Sequence, residues 1–183
     1  MAAPRLHITG ASGCGVSTLG AALARRLGAA QLDTDAFYWL ATDPPFQTSR
    51  PIPARLAMLE AAFAAAFGGW VLSGSLDGWG DPLIPRFEQV VFLATPTELR
   101  LARLAAREQR RYGAAIAPGG ALADHHLDFM AYAAAYDTGV FTSTLTGRHR
   151  ARHEAWLARL PCPLLRLDGA APADALADAV IGA

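Results

Sequence analysis

The sequence contains no lysine, because all 16 of its basic residues are arginine. Sixteen acidic residues balance them, so the net charge is zero and no overall field attracts nucleic acid or an anionic membrane. The only two cysteines, Cys14 and Cys162, lack the spacing of a zinc site or a disulfide framework. No apolar run approaches the roughly 20 residues of a membrane-spanning helix. We therefore expect a cytoplasmic monomer or homodimer that binds small molecules, and neither nucleic acid nor membrane.

The 183 residues, of which 52% are hydrophobic and 17% charged, favour one compact domain over residues 1–183 and argue against disorder. Hydrophobic spacing and turn residues predict strands at 6–9, 30–32, 70–72, 89–94 and 163–167. They predict helices at 17–27, 53–67, 97–111, 121–136 and 148–160, and one from about 173. Strands that alternate with helices favour a three-layer α/β/α sandwich built on a parallel sheet.

Residues 10–18 form a glycine-rich segment between the first predicted strand and the first predicted helix. They fit the phosphate-binding pattern GxxxxGK[ST], except that Val16 stands at the lysine. Glycine lets the backbone bring its N–H groups against phosphate oxygens, and a helix N-terminus favours an anion. The segment therefore predicts a nucleotide-phosphate loop made of Gly10, Ala11, Ser12, Gly13, Cys14, Gly15, Val16, Ser17 and Thr18. A tight strand-to-helix turn without a ligand is the alternative.

Two residues of this loop bear on its chemistry. Ser17 is the expected Mg²⁺ ligand, although a serine at this place can also cap the helix. In phosphoryl transfer the loop lysine stabilises charge on the terminal phosphates, which Val16 cannot do. Because the chain has no lysine, only arginine, magnesium or the backbone could replace it.

With this loop in this place, the chain resembles the adenylate kinase and shikimate kinase group of small P-loop kinases, and more closely a branch whose loop lacks the lysine. The resemblance implies a P-loop NTPase fold of the nucleoside-monophosphate-kinase type, with a five-stranded parallel sheet in the order 2-3-1-4-5. It also implies an acceptor-binding insert at about 36–67 and a lid at about 107–135. ATP or another nucleoside triphosphate, Mg²⁺ and a small-molecule phosphate acceptor would be its ligands.

Two carboxylates, Asp33 and Asp35, follow the second predicted strand and look like the DxD motif of shikimate and gluconate kinases. The resemblance implies catalytic roles for both, with Asp33 joining Ser17 at the metal and Asp35 orienting the acceptor hydroxyl and accepting its proton. A helix cap with a solvated neighbour is the alternative. The acceptor would be bound by Asp35, Trp39, Arg50 and Arg55, unless these residues serve core packing or a plain surface.

Arg103 and Arg107 repeat the four-residue spacing with which adenylate kinases place two guanidinium groups on one helical face. The resemblance implies that both are catalytic and that Arg110 binds the nucleotide; a solvated helix face is the alternative. Gly169, after the last strand, falls in a segment that resembles the adenine-contacting loop of adenylate kinases, although Asp-Gly is also a turn signal.

The favoured interpretation is an ATP-dependent phosphotransferase that acts on a nucleoside, a nucleotide or a small metabolite. A nucleotide-binding sensor or interaction protein with little turnover, or a slow ATPase, is the alternative. Val16 favours the alternative, as does Ser73, which stands where adenylate kinases carry an aspartate that supports magnesium. The two aspartates and the arginine cluster favour the enzyme.

Overall fold

The computed structural model describes residues 3–145 and 147–183, and its strands alternate with helices as predicted. The strands are β1 (Arg5–Gly10), β2 (Ala30–Asp33), β3 (Trp70–Ser73), β4 (Gln89–Ala94) and β5 (Leu164–Asp168). The helices are α1 (Val16–Leu27), α2 (Thr34–Tyr38), α3 (Ile52–Ala65), α4 (Thr97–Tyr112), α5 (Ala123–Ala134), α6 (Arg150–Leu157) and α7 (Ala173–Ile181). Two 3₁₀-helical segments, Asp81–Arg86 and Gly113–Ile116, complete the regular structure of the described residues.

The five strands form one sheet in the order β2-β3-β1-β4-β5, which confirms the predicted order. Strand β1 pairs in parallel with β3 on one side and with β4 on the other, and β2 pairs in parallel with β3. Ile8, Val71 and Val91 on the three inner strands are fully buried. Burial on both faces explains why β3 and β4 read as apolar runs, whereas β1 also buries the polar residues His7 and Thr9.

The chain divides into two compact units. The first, called the sheet unit below, comprises residues 15–93 and 160–183 with the described part of 1–10. The second, called the helical unit, comprises residues 11–14 and the described part of 94–159, and so includes α4, α5 and α6. A single domain with an insert at 36–67 and a lid at 107–135 stays a prediction. Among the described residues, no helix combines the length and hydrophobicity needed to cross a bilayer.

Helix α1 packs closely against strand β3 in the sheet unit. Leu19 and Leu23 are fully buried, as their spacing on one helical face predicts. Gly20 makes the close approach possible, because a Cβ atom there would lie 1.9 Å from Ser73 Oγ. The charge pair between Arg26 and Asp178, at 2.6 Å, joins the exposed side of α1 to α7.

A buried histidine lies on the central strand. His7 is fully buried, stacks on Phe87 at 5.0 Å between ring centroids, and donates from Nδ1 to the carbonyl oxygen of Leu72 at 3.1 Å. Burial disfavours the charged ring and lowers the pKa of His7 to about 4, although the hydrogen bond to Leu72 opposes that shift. The folded protein therefore holds this ring neutral.

This burial predicts a pH-dependent stability. Because the pKa of His7 is lower in the folded than in the unfolded chain, the unfolded chain takes up the proton first as pH falls. The stability due to neutral His7 is present above pH 6.5 and is lost as pH falls towards 4. We expect this residue to lower the free energy of unfolding by about 2–3 kcal/mol between pH 7.5 and pH 4.5.

Urea unfolding of the wild type and of His7→Phe across this range isolates the contribution, since all carboxylates titrate in both proteins. His7→Leu serves the same purpose if the phenylalanine variant does not fold. An identical pH dependence in wild type and variant would contradict the prediction.

Candidate functional site

The backbone of the predicted phosphate loop, residues 10–18, contains two left-handed glycines. Gly13 and Gly15 have φ angles of +85° and +94°, a region that residues with a Cβ rarely adopt. Gly15 is the N-cap of α1 and has no side chain with which to cover the amides of the first helical turn. Left-handed glycines before an uncapped helix N-terminus form a concavity of N–H groups that suits a phosphate.

In the sheet unit, the structure brings together Ser17 and the first aspartate of the DxD motif. Ser17 Oγ donates a hydrogen bond to Asp33 Oδ2 at 2.7 Å. The other carboxylate oxygen, Asp33 Oδ1, accepts from the backbone N–H of Asp35 at 3.0 Å, so Asp33 also caps α2. The capping alternative is therefore confirmed, and it leaves one carboxylate oxygen facing the loop serine. A hydroxyl and a carboxylate are ligands that Mg²⁺ accepts, so this pair fits the ion.

Asp35 is exposed on the first turn of α2, a short helix that the sequence pattern did not predict. The preceding residue, Thr34, is buried and accepts a hydrogen bond at Oγ1 from the backbone N–H of Ser75 at 3.1 Å. A Cβ at Gly74 would lie 1.9 Å from the same oxygen, so the chain after β3 packs tightly on this threonine. These contacts fix the backbone from which Asp35 projects.

The predicted acceptor residue Arg55 has an unusual environment. It is only 6% exposed, and its guanidinium carbon lies 3.7 Å from the ring centroid of Tyr38 and 5.4 Å from that of Trp79. Its Nε donates to the carbonyl oxygen of Arg50 at 2.5 Å, and no carboxylate of the described residues pairs with it. Trp39 is half-buried and packs edge-on against Tyr38 at 4.7 Å.

Arg50 is used differently from Arg55. Its Nε donates to the carbonyl oxygen of Phe37 at 3.1 Å and its Nη2 to that of Trp39 at 3.2 Å. These two bonds fasten the segment that precedes α3 onto the end of α2. Binding of the acceptor by Arg50 stays a prediction. The guanidinium N–H groups that these two bonds do not use would make that contact.

Sequence reasoning missed the most buried charge in the helical unit, Arg100, which has no solvent exposure. Its guanidinium donates to Asp137 Oδ2 and Thr97 Oγ1, both at 3.0 Å. It also donates to three carbonyl oxygens, those of Thr95, Ser12 and Ala133, at 3.2–3.4 Å. All of its donor groups are thus used inside the protein, and one of them holds the phosphate loop.

A sequence signal for Arg100 existed. On α4, Arg100, Leu104 and Glu108 are four residues apart and form the buried face. An arginine in register with a buried leucine, in the first helical turn where the helix dipole disfavours a cation, indicates an internal partner. Asp137 is that partner. Burial alone would raise the pKa of Asp137, but the hydrogen bond from Thr97 and the charges of Arg150 and Arg100 lower it below its ordinary value.

The predicted arginine cluster also lies on α4. Arg103 is half-buried, whereas Arg107 and Arg110 are exposed. Arg107 pairs with the adjacent Glu108 at 3.4 Å. Catalytic roles for Arg103 and Arg107, and nucleotide binding by Arg110, stay predictions.

Cys14 in the phosphate loop and Gly169 after β5 have mainly structural surroundings. Cys14 is buried, and burial raises the pKa of its thiol despite the opposing effects of a hydrogen bond with Thr95 and the charge of Arg100. Gly169 lies in a turn, since Asp168 accepts hydrogen bonds from the N–H groups of Ala170 and Ala171 at 2.9 and 3.1 Å. No group of three or more potential metal ligands occurs among the described His, Cys, Asp and Glu residues.

The Bacillus subtilis (strain 168) protein with the name "Uncharacterized protein YqaC" is 44% identical to this chain over 163 residues, which cover 89% of this chain and 87% of the relative. The chain belongs to the YqaC family. No protein-family model matches the sequence.

Several solved kinase structures are similar to the chain. A sugar kinase from Janibacter sp. HTCC2649 has a TM-score of 0.49 at 15% identity, and covers 98% of this chain and 92% of its own. A gluconokinase from Sinorhizobium meliloti 1021 has a TM-score of 0.49 at 16% identity, and covers 98% of this chain and 90% of its own. A shikimate kinase from Bacteroides thetaiotaomicron has a TM-score of 0.42 at 22% identity, and covers 56% of this chain and 63% of its own. Similarity of this size says nothing about the reaction of the YqaC family.

The packing of the loop predicts a steric effect at Gly13. A Cβ there would lie 2.6 Å from the carbonyl oxygen of Arg100, whereas no described atom lies within 4 Å of one at Gly28, which also has a positive φ. Gly28→Ala should therefore cost only the backbone strain of about 1 kcal/mol. Gly13→Ala adds a clash with backbone and should cost about 2–4 kcal/mol in all.

Urea unfolding of the two alanine variants gives the comparison, because both replace a left-handed glycine by the same residue. Equal losses of unfolding free energy would contradict the close packing of Gly13 on Arg100.

Proposed function

We propose that the protein is an ATP-dependent phosphotransferase that binds the phosphates of a nucleoside triphosphate at residues 10–18 and transfers the terminal phosphoryl group to a small acceptor. The observation that carries this proposal is the hydrogen bond between Ser17 and Asp33 at 2.7 Å. A mere strand-to-helix turn has no need of a carboxylate from the end of β2 at its serine. A loop that binds a metal nucleotide does need one, because the Ser17 hydroxyl and the Asp33 carboxylate can bind the same ion.

In this proposal Ser17 and Asp33 hold Mg²⁺, which when bound neutralises charge on the donor phosphates. The glycines of the loop present N–H groups to those phosphates. Asp35 orients the acceptor hydroxyl and accepts its proton, and its exposure on α2 leaves room for a ligand. The cofactors are therefore Mg²⁺ and ATP or another nucleoside triphosphate.

Charge on the transferred group is stabilised by arginine. We assign this role to Arg103 and Arg107, and the binding of donor phosphates to Arg110, because guanidinium groups are the cations that this chain offers in place of lysine. Gly169 contributes backbone contacts to the base. The protein works in the cytoplasm as a monomer or homodimer, without nucleic acid or membrane.

The acceptor side favours an anionic substrate. Arg55 is nearly buried, is covered by the rings of Tyr38 and Trp79, and has no carboxylate partner among the described residues. A desolvated cation of this kind is costly unless an anion meets it for part of the functional cycle. A carboxylate or phosphate on the acceptor would do so, while Asp35 and Trp39 contact its remaining groups.

A second function, nucleotide binding with little or no turnover, is favoured by Val16 and Ser73. Ser73 lies at the end of β3, is fully buried, and its Oγ has no hydrogen-bond partner among the described residues. It lies at the close approach of Gly20 on α1, so it serves packing at a position where adenylate kinases carry an aspartate. A sensor or slow ATPase would keep the loop and dispense with these groups.

The test is phosphate transfer from MgATP to a panel of anionic and neutral hydroxyl compounds and nucleoside monophosphates, run beside calorimetric binding of MgATP. With an accepted substrate, Asp35→Asn should lower kcat by about 100-fold or more, because it removes a general base, and leave MgATP affinity unchanged. Asp174→Asn on α7, whose carboxylate is 83% exposed, is the matched control. Equal kcat in Asp35→Asn and wild type would remove Asp35 from catalysis, and nucleotide binding without any transfer would favour the sensor.

The acceptor proposal predicts a separate effect of Arg55. Arg55→Met keeps the apolar stem and removes the charge, so KM for an anionic acceptor should rise roughly ten-fold or more while MgATP affinity stays the same. Arg86→Met, at an arginine that is 56% exposed and pairs with Glu60, is the control. A KM that does not change with Arg55→Met would contradict an anionic acceptor at this side chain.

A further inference from the structure

Arg148 contacts the phosphate loop within the helical unit. It lies two residues before α6, and its Nη2 donates a hydrogen bond to Ser12 Oγ at 3.2 Å, across 136 positions of sequence. Ser12 is the third residue of the loop. The positive charge of Arg148 also reaches Cys14, where it opposes the rise in the thiol pKa that burial causes.

Arg148 differs from its neighbours in having donors to spare. Arg100 uses its donors on Asp137, Thr97 and three carbonyl oxygens, and Arg150 is paired with Asp137. Arg148 has no carboxylate partner among the described residues. Its Nε is buried and has no hydrogen-bond acceptor in the part of the chain that the structure describes.

A buried guanidinium N–H without an acceptor is costly and rare in native proteins, and calls for an anion or another acceptor that is bound for part of the functional cycle. Here the guanidinium is already docked on the loop that binds phosphate under the proposed function. A planar guanidinium can donate two parallel hydrogen bonds to one phosphate, so little reorganisation would be needed.

We propose that Arg148 supplies the cation that the phosphate loop lacks at Val16, and that it binds the terminal phosphates of the nucleoside triphosphate. This inference rests on the proposed function, since it needs a triphosphate at residues 10–18. It explains how a chain without lysine keeps a positive charge at the loop. It also assigns Arg148 a nucleotide-binding role separate from the arginines of α4.

The experiment measures the dissociation constants of MgATP, MgGTP and inorganic tripolyphosphate by calorimetry. The variants are Arg148→Gln, Arg148→Lys, Val16→Lys and the double variant of Val16→Lys with Arg148→Gln. Arg25→Ala, at an arginine on α1 that is 73% exposed, is the control, and thermal unfolding of each protein verifies its fold.

Arg148→Gln should weaken triphosphate binding roughly ten- to hundred-fold, as expected for a lost charged hydrogen bond. Arg148→Lys keeps the charge but loses the two parallel hydrogen bonds, so it should weaken binding less than Arg148→Gln does. Val16→Lys should restore affinity in the Arg148→Gln background by a larger factor than it gains in the wild type, because only there is the loop cation missing. A merely structural clamp on Ser12 would give neither the rescue nor this non-additivity.

The outcomes separate the two proposals. A wild type that binds none of the three probes would overturn the proposed function, and this inference with it. A wild type that binds a triphosphate as tightly as a folded Arg148→Gln would leave the proposed function standing and overturn the role of Arg148. Equal losses of triphosphate affinity in Arg148→Lys and Arg148→Gln would also overturn the role of Arg148. So would a gain from Val16→Lys that is the same in the wild type and in Arg148→Gln.

Discussion

The buried Arg100 guanidinium joins separate segments of the helical unit through its hydrogen bonds. A buried charge is tolerable only when its donors are satisfied, and here each of them meets a carbonyl, a hydroxyl or the carboxylate of Asp137. Because one of those carbonyls belongs to Ser12, the network that neutralises Arg100 also sets the path of the loop. The backbone of Arg100 also packs against the loop, because it leaves no space for a side chain at Gly13.

The carboxylate of Asp137 connects this network to the first residue of α6. Its second carboxylate oxygen accepts from Arg150, so the residues that hold Arg100 also fix the chain two positions beyond Arg148. A lysine inside a phosphate loop needs no such support, because the loop itself carries it. An arginine brought from position 148 depends on the packing of Asp137 and α6. In a chain with no lysine, nucleotide affinity would therefore be coupled to the stability of the helical unit.

Periodicity predicted the strands and the longer helices to within a few residues, because buried parallel strands and amphipathic helices leave strong apolar patterns. The strand order came from the family resemblance. Helix α2 was missed because five residues are too few to show a period, although Asp33 is the N-cap that starts it. Arg100 and Arg148 were missed for another reason. Arginine is ordinarily a surface residue, so the register of Arg100 with Leu104 was passed over, and only three-dimensional contacts show that Arg148 is docked on Ser12.

Holding the terminal phosphate is not the same as accelerating its transfer. A cation that binds substrate and transition state equally well lowers KM and leaves kcat unchanged. Arg148, which is held on Ser12 by a hydrogen bond, suits such uniform binding. Catalysis needs a second group whose contacts strengthen as charge moves to the leaving oxygen. Arg107 has more freedom for this role, because its side chain is 44% exposed and its partner Glu108 is an adjacent residue. The division between an arginine bonded to the loop and an exposed one would let a loop without lysine support both binding and turnover.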